Sequence, residues 1–208
     1  MSASAPAILN LADVAPAFGD PTRESQAVFR KVMDAVARPG TIHDLAFAPD
    51  APQGLDRAAG AVALTLFDFE TPTWLDPALR GGIAEGWLRF HCGCPLTDDP
   101  VKAAFALVTD PLAAPELAAF NQGDAKYPDR STTLVFQLPA LQGGPRVTLT
   151  GPGIKGEASL ALDGLPNGFW EQVQANQAKF QFGVDLIFVA DNLLTALPRS
   201  TRVSIQGN

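Results

Sequence analysis

At 208 residues the chain is long enough to bury a sizeable core without disulfide or metal staples. Its 47% apolar content excludes intrinsic disorder, while only 18% of residues are charged. A net charge of −7 without any basic tract excludes a nucleic-acid surface, and no apolar run reaches the length of a membrane span.

The chain reads as one domain, 1–208, whose residues 1–19 form an irregular segment rich in Ala and Pro. Its start, MSASAPAILNLADV, lacks the basic residues and apolar stretch of a secretory signal, so a cytoplasmic location is expected. Low charge leaves surface that a buried protein–protein face would use.

The first predicted helix lies in DPTRESQAVFRKVMDAVARPG. Asp20 caps it, Pro21 suits its first turn, and Pro39-Gly40 stops it. Val28, Val32 and Val36 form its apolar stripe, widened by Phe29 and Met33. LDRAAGAVALTLFDFET follows as a buried helix, because its alanine content disfavours a strand. PTWL is a short strand and DPALRGG a turn. GWLRF alternates Trp87 and Arg89 against Leu88 and Phe90, a strand pattern that Gly93 and Pro95 end.

AAFALVTD is a further strand ending at Asp110, and Pro115 opens a brief helix. STTLVFQL and RVTLTGPG are rich in β-branched residues, and Gly143-Gly144 suggests a hairpin between them. LPNGFWEQVQANQAKFQFG is a helix in which Phe169, Val173, Asn176 and Phe180 line up. VDLIFVA is a continuous apolar strand covered on both faces, and TRVSIQ is a final edge strand. This alternation predicts a three-layer α/β/α fold around a mixed sheet.

Few residues announce chemistry. Cys92 and Cys94 are one residue apart, and His91 and His43 are the only histidines. That spacing suits neither a zinc site nor a thioredoxin-type pair, so no metal is expected and the cysteines are structural. Gly151 and Gly153 follow a strand but lack the residues of a P-loop, which favours an edge turn. The loop GDAKYPDRS gathers Asp124, Tyr127, Asp129, Arg130 and Ser131 ahead of a strand. There Arg130 either forks a phosphate or carboxylate, or pairs with Asp129 or Asp124 to pin the loop. Lys102, Lys126, Lys155 and Lys179 are scattered, and none sits where a Schiff-base lysine would be buried.

The pieces FRKVMDAVARPGTI, ALTLFDFETPTWLD, LRFHCGCPL, YPDRSTTLVFQL, LTGPGI, FWEQVQANQAKFQFGVDLIFVA and LPRSTRV run in order through nearly the whole chain. In them the sequence resembles the PhnH subunit family of the bacterial carbon–phosphorus lyase system. The resemblance implies a fold similar to the large domain of pyridoxal-phosphate-dependent transferases, without that cofactor or any other. It implies an accessory subunit, homodimeric when isolated, that works with the PhnG, PhnI and PhnJ subunits. The implied role is support for forming α-D-ribose 1-methylphosphonate 5-triphosphate from ATP and methylphosphonate, with PhnL also taking part. Catalytic residues are unknown for such a subunit. Under the alternative reading, the chain itself lends nucleotide- or phosphonate-binding groups through Arg130, Gly151 or Gly153.

Overall fold

The structure, a computed structural model, describes residues 15–205. Helix α1 spans Pro21–Ala37 and begins where the Asp20 side chain accepts the Arg23 amide at 3.1 Å. It buries Val28, Val32 and Ala35 against the helix α2 (Arg57–Leu66) and the strand β9 (Leu193–Leu197). Phe29 and Met33 do not widen that stripe: they are 47% and 50% exposed. At about 100° per residue they lie a quarter-turn or more from its centre, beyond the reach of either neighbour. Helix α2 is as buried as its composition predicts, with Ala58 to Ala63 all inaccessible.

The remaining strands are β1 (His43–Asp44), β2 (Thr73–Leu75), β3 (Leu96–Thr97), β4 (Phe105–Val108), β5 (Thr133–Gln137), β6 (Val147–Thr150), β7 (Ala158–Leu160), β8 (Asp185–Ala190) and β10 (Arg202–Ile205). Seven build one sheet in the order β1-β9-β8-β5-β4-β2-β3. Strands β3, β2, β4, β5 and β8 pair in parallel, and β9 runs antiparallel to both β8 and β1. So β9 alone points against the rest. Side-chain alternation along β5 then splits the core. Val135 faces α1, α2 and α3 (Ile83–Cys92). Leu134 and Phe136 face the other cluster, with α4 (Phe169–Ala178) and the strands β6, β7 and β10.

The second outer layer is therefore not helical throughout. A three-stranded antiparallel sheet, β10-β6-β7, shares it with α4. This overturns the predicted hairpin, since β5 and β6 belong to different sheets. Both faces of β5 are apolar and covered, whereas β6 alternates buried and half-buried residues. Gly144 serves a close approach instead of a hairpin turn: a Cβ there would lie 1.9 Å from the Leu162 carbonyl oxygen. The final strand β10 does lie at a sheet edge, as expected.

Two other readings are corrected. GWLRF is helical, within α3. Ala84, Trp87 and Leu88 recur at helical spacing and are buried, Arg89 pairs with Glu85 one turn back at 3.0 Å, and Phe90 is left exposed. Gly93 ends the helix in the left-handed conformation, φ 65°, with its amide on the Arg89 carbonyl. Helix α4 stops at Ala178, so Phe180 falls outside the predicted stripe and is 57% exposed.

Candidate functional site

In an open sheet of this kind ligands favour the crevice at the strands' carboxyl ends, where successive connections leave for opposite faces. Here that point lies between β2 and β4. The connection after β2 runs through α3 on one face; the one after β4 runs through Leu117 and Phe120 on the other. The crevice is filled from within. Asp76, fully buried, directs one carboxylate oxygen to the amides of Ala78 and Leu79 at 3.0 and 3.2 Å. Its other oxygen accepts the Thr109 amide, the Thr109 hydroxyl at 2.9 Å and the Asp110 amide at 2.9 Å. Five donors that would suit a bound anion are thus satisfied by the chain's own carboxylate.

Further along the same edge, Gln137 accepts the Asp56 amide at 2.7 Å, and Asp56 accepts the Asp191 amide at 2.9 Å. Burial raises the Asp56 pKa, with the Asp191 amide opposing. The carboxyl-end edge is stitched shut by these contacts.

The opposite edge carries the loop singled out in the sequence. Arg199, just past β9, holds it. Its Nε donates to Asp185 at 3.1 Å, one terminal nitrogen donates to the other Asp185 oxygen and to Ser131, and the second donates to the Pro128 carbonyl at 2.8 Å. Asp185 also accepts the Arg199 amide at 2.8 Å. The pin expected of Arg130 is therefore supplied by Arg199, which the sequence reading passed over. Its only signal was a place in the LPRSTRV piece. Arg130 forms no ion pair among the described residues, because Asp124 is already committed to the amides of Lys126 and Tyr127, both at 2.8 Å. The Arg130 guanidinium instead lies 3.8 Å over the Tyr127 ring.

Gly151 and Gly153 each sit close to a neighbouring stretch of backbone. A Cβ on Gly153, φ 79°, would lie 1.9 Å from the Ala37 carbonyl oxygen at the end of α1; one on Gly151, φ 137°, would meet Ser200 at 3.2 Å. The Arg-Pro-Gly turn after α1 thus seats against the turn after β6. Neither glycine shares a site with Arg130.

Cys92 and Cys94 flank the end of α3, and both are free thiols. Burial pushes Cys92 up to about 12, with neighbouring Cys94 adding to the rise. Burial also raises Cys94, although a hydrogen bond with Thr73 holds that shift back. Both therefore stay protonated at neutral pH, which disfavours a nucleophilic role. His91 is turned to the Ala15 carbonyl at 3.1 Å, and His43 to the Thr41 hydroxyl at 2.9 Å. Among the described residues no three His, Cys, Asp or Glu side chains gather as a metal would require. Lys31, Lys102, Lys126, Lys155 and Lys179 are all exposed. None sits in the desolvated pocket that would tune an amine for Schiff-base chemistry. No helix among the described residues is long and apolar enough to cross a membrane.

A family model described as bacterial phosphonate metabolism protein (PhnH) matches residues 16–204. The subunit PhnH of alpha-D-ribose 1-methylphosphonate 5-triphosphate synthase from Rhizobium meliloti is 45% identical over 187 residues, which cover 90% of this chain and 94% of that protein. HtxG of Stutzerimonas stutzeri, a candidate C-P lyase subunit, is 31% identical over 182 residues, covering 88% of this chain and 87% of its own. By the extent of both matches, the chain belongs to the PhnH family of bacterial phosphonate metabolism proteins.

Proposed function

We propose that this chain is an accessory subunit of a cytoplasmic carbon–phosphorus lyase core assembly with PhnG, PhnI and PhnJ. In it the chain supports the formation of α-D-ribose 1-methylphosphonate 5-triphosphate from ATP and methylphosphonate. The observation that carries this reading is 45% identity, across nearly the full length of both chains, to a subunit of the synthase of that name. The geometry agrees. The crevice where this sheet would hold a ligand is occupied by Asp76, and the cysteines are protonated and packed. On this reading the chain is one domain, homodimeric when isolated, and its likeness to the large domain of pyridoxal-phosphate-dependent transferases is one of scaffold only. A sheet in which a single strand opposes the others, with packed layers on both faces, supports that likeness.

The test is reconstitution with PhnG, PhnI, PhnJ and PhnL. Omitting this chain should abolish conversion of ATP and methylphosphonate, the purified chain alone should convert neither, and it should co-elute with the core subunits. Full synthase turnover without it would refute the assignment.

The second reading, direct ligand binding, finds its support at Arg130, whose guanidinium forms no ion pair among the described residues; Gly151 and Gly153 lie on a separate turn, against Ser200 and Ala37.

A further inference from the structure

We infer that Lys126, Tyr127 and Arg130 form a docking surface for an acidic segment of a partner protein, with a partner carboxylate in the fork of Arg130. This rests on the subunit reading above and names the chemistry of one contact.

The backbone under these residues is held from several sides. Asp124 accepts the amides of Lys126 and Tyr127, the Arg130 amide reaches the Tyr127 carbonyl at 3.2 Å, and Asn121 accepts the Gly123 amide at 2.9 Å. Gly123 presses so close that a Cβ would lie 2.7 Å from the Pro128 carbonyl oxygen. Arg199 holds Pro128 and Ser131 from beneath. The loop is therefore a rigid mount, with little ordering entropy left to lose on binding.

What it presents is unpaired positive charge. The Arg130 guanidinium lies 3.8 Å over the Tyr127 ring and the Lys126 ammonium 5.0 Å from the same ring. Both side chains are exposed, and among the described residues neither forms an ion pair or donates a hydrogen bond. Asp124 and Asp129 lie in the same loop, yet neither forms an ion pair with these two cations, which share one ring instead. The guanidinium lies over the ring and makes no hydrogen bond among the described residues, so its N–H donors remain available to grip a carboxylate with two parallel bonds.

The surroundings favour a protein over a small anion. Small ligands are held in concave sites that bury most of their surface. Arg130 stands outside the neighbouring depression, a shallow one of about 390 Å³ bordered by Pro128, Asp129, Phe180 and Pro198. Phe180 there is 57% exposed. Tyr, Arg and an exposed Phe beside a shallow hollow are the anchors that protein interfaces use. The partner segment would set a carboxylate on Arg130 and an apolar side chain against Phe180.

The experiment compares wild type, Arg130→Glu and Arg130→Lys for binding to an assembled PhnG–PhnI–PhnJ core at low and high salt, with melting temperature read in parallel. Calorimetry with ATP on the isolated chain forms the second arm. Arg130→Glu should weaken docking about 30-fold or more at unchanged melting temperature, and Arg130→Lys should weaken it less. Added salt should weaken wild type more than Arg130→Glu. Should Arg130→Glu fail to fold, Lys126→Glu, on an exposed side chain, is read in the same way. Equal docking of wild type and the Glu variant would overturn the inference and leave the subunit reading standing. So would intact docking with lost ATP binding, which would assign Arg130 to phosphate. A wild-type chain that does not dock at all would end both.

Discussion

Arg199 clasps both carboxylate oxygens of Asp185, and the same guanidinium reaches Pro128 and Ser131 across the amino-end edge of the sheet. Strand β8, the end of β9 and the loop before β5 thus converge on one side chain that is 14% exposed. Arg199→Ala strands a half-buried carboxylate, a hydroxyl and a carbonyl together. It should lower stability by roughly 2–4 kcal/mol in urea denaturation, and Arg199→Lys should recover only part, since an ammonium cannot span the fork. Arg130→Ala, by contrast, removes an exposed cation–ring contact and should cost about 1 kcal/mol or less. The reverse ranking of the two alanine variants would contradict the assignment of Arg199 as the pin.

Asp76→Ala should be the more damaging change at the other edge, by roughly 3–5 kcal/mol, because five donors lose their acceptor in a site without solvent. Acetate or formate, small enough to take the carboxylate's place, should restore part of the lost melting temperature. Chloride at equal ionic strength should restore less. A variant as stable as wild type would mean the nest does not depend on its anion.

The cysteines give a pH prediction. A folded Cys92 at about 12 against an ordinary 9.0 means the native state binds more protons between those values than the unfolded state. The contribution to stability is therefore whole below pH 9.0 and is lost as pH rises from 9.0 toward 12. In native protein at pH 7–8 both thiols should resist iodoacetamide, and both should be alkylated promptly once urea unfolds the chain. Fast labelling of either thiol in the native state would show a depressed, reactive thiol instead.

Gly153→Ala tests the contact between the Arg-Pro-Gly turn and the turn after β6. The new methyl would collide with the Ala37 carbonyl in a backbone conformation, φ 79°, that L residues resist. The variant should lose roughly 2–4 kcal/mol, while Gly156→Ala, at a similar φ of 76° with nothing within 4 Å, should lose about 1–2. Equal losses at the two positions would mean that φ strain alone is measured.

Local features of the chain were legible where one element explains itself. Asp20, Pro21 and the Val28–Val32 spacing specify α1 without reference to anything else, and the alanines of α2 demand burial. Helix α3 was not legible, because Gly86 and its aromatic residues weaken helix propensity and two-residue alternation fits five residues by chance. Only burial of Ala84, Trp87 and Leu88 on one side decides it. The two carboxylate networks were hidden for a different reason. Asp76 binds backbone amides 33 and 34 residues away, and Arg199 binds groups 14, 68 and 71 residues away. Amides have no letter in a sequence, and Asp-Pro or Pro-Arg read as turns wherever they fall. The resemblance did supply both YPDRS and LPRSTRV, but as separate pieces of chain; the fold makes them one contact.

Helix α2 has a consequence beyond its own burial. It lies between α1 and α3, and its alanines and glycine let neighbours approach closely: Ala51 and Trp87 would both touch a Cβ on Gly60. The width of this hidden rod therefore sets the separation of the two outer helices, which carry the exposed Phe29 and Phe90. An added methylene in α2 would be read at the surface as a changed spacing between those two rings. Variation in the most inaccessible helix can in this way retune a face it never touches.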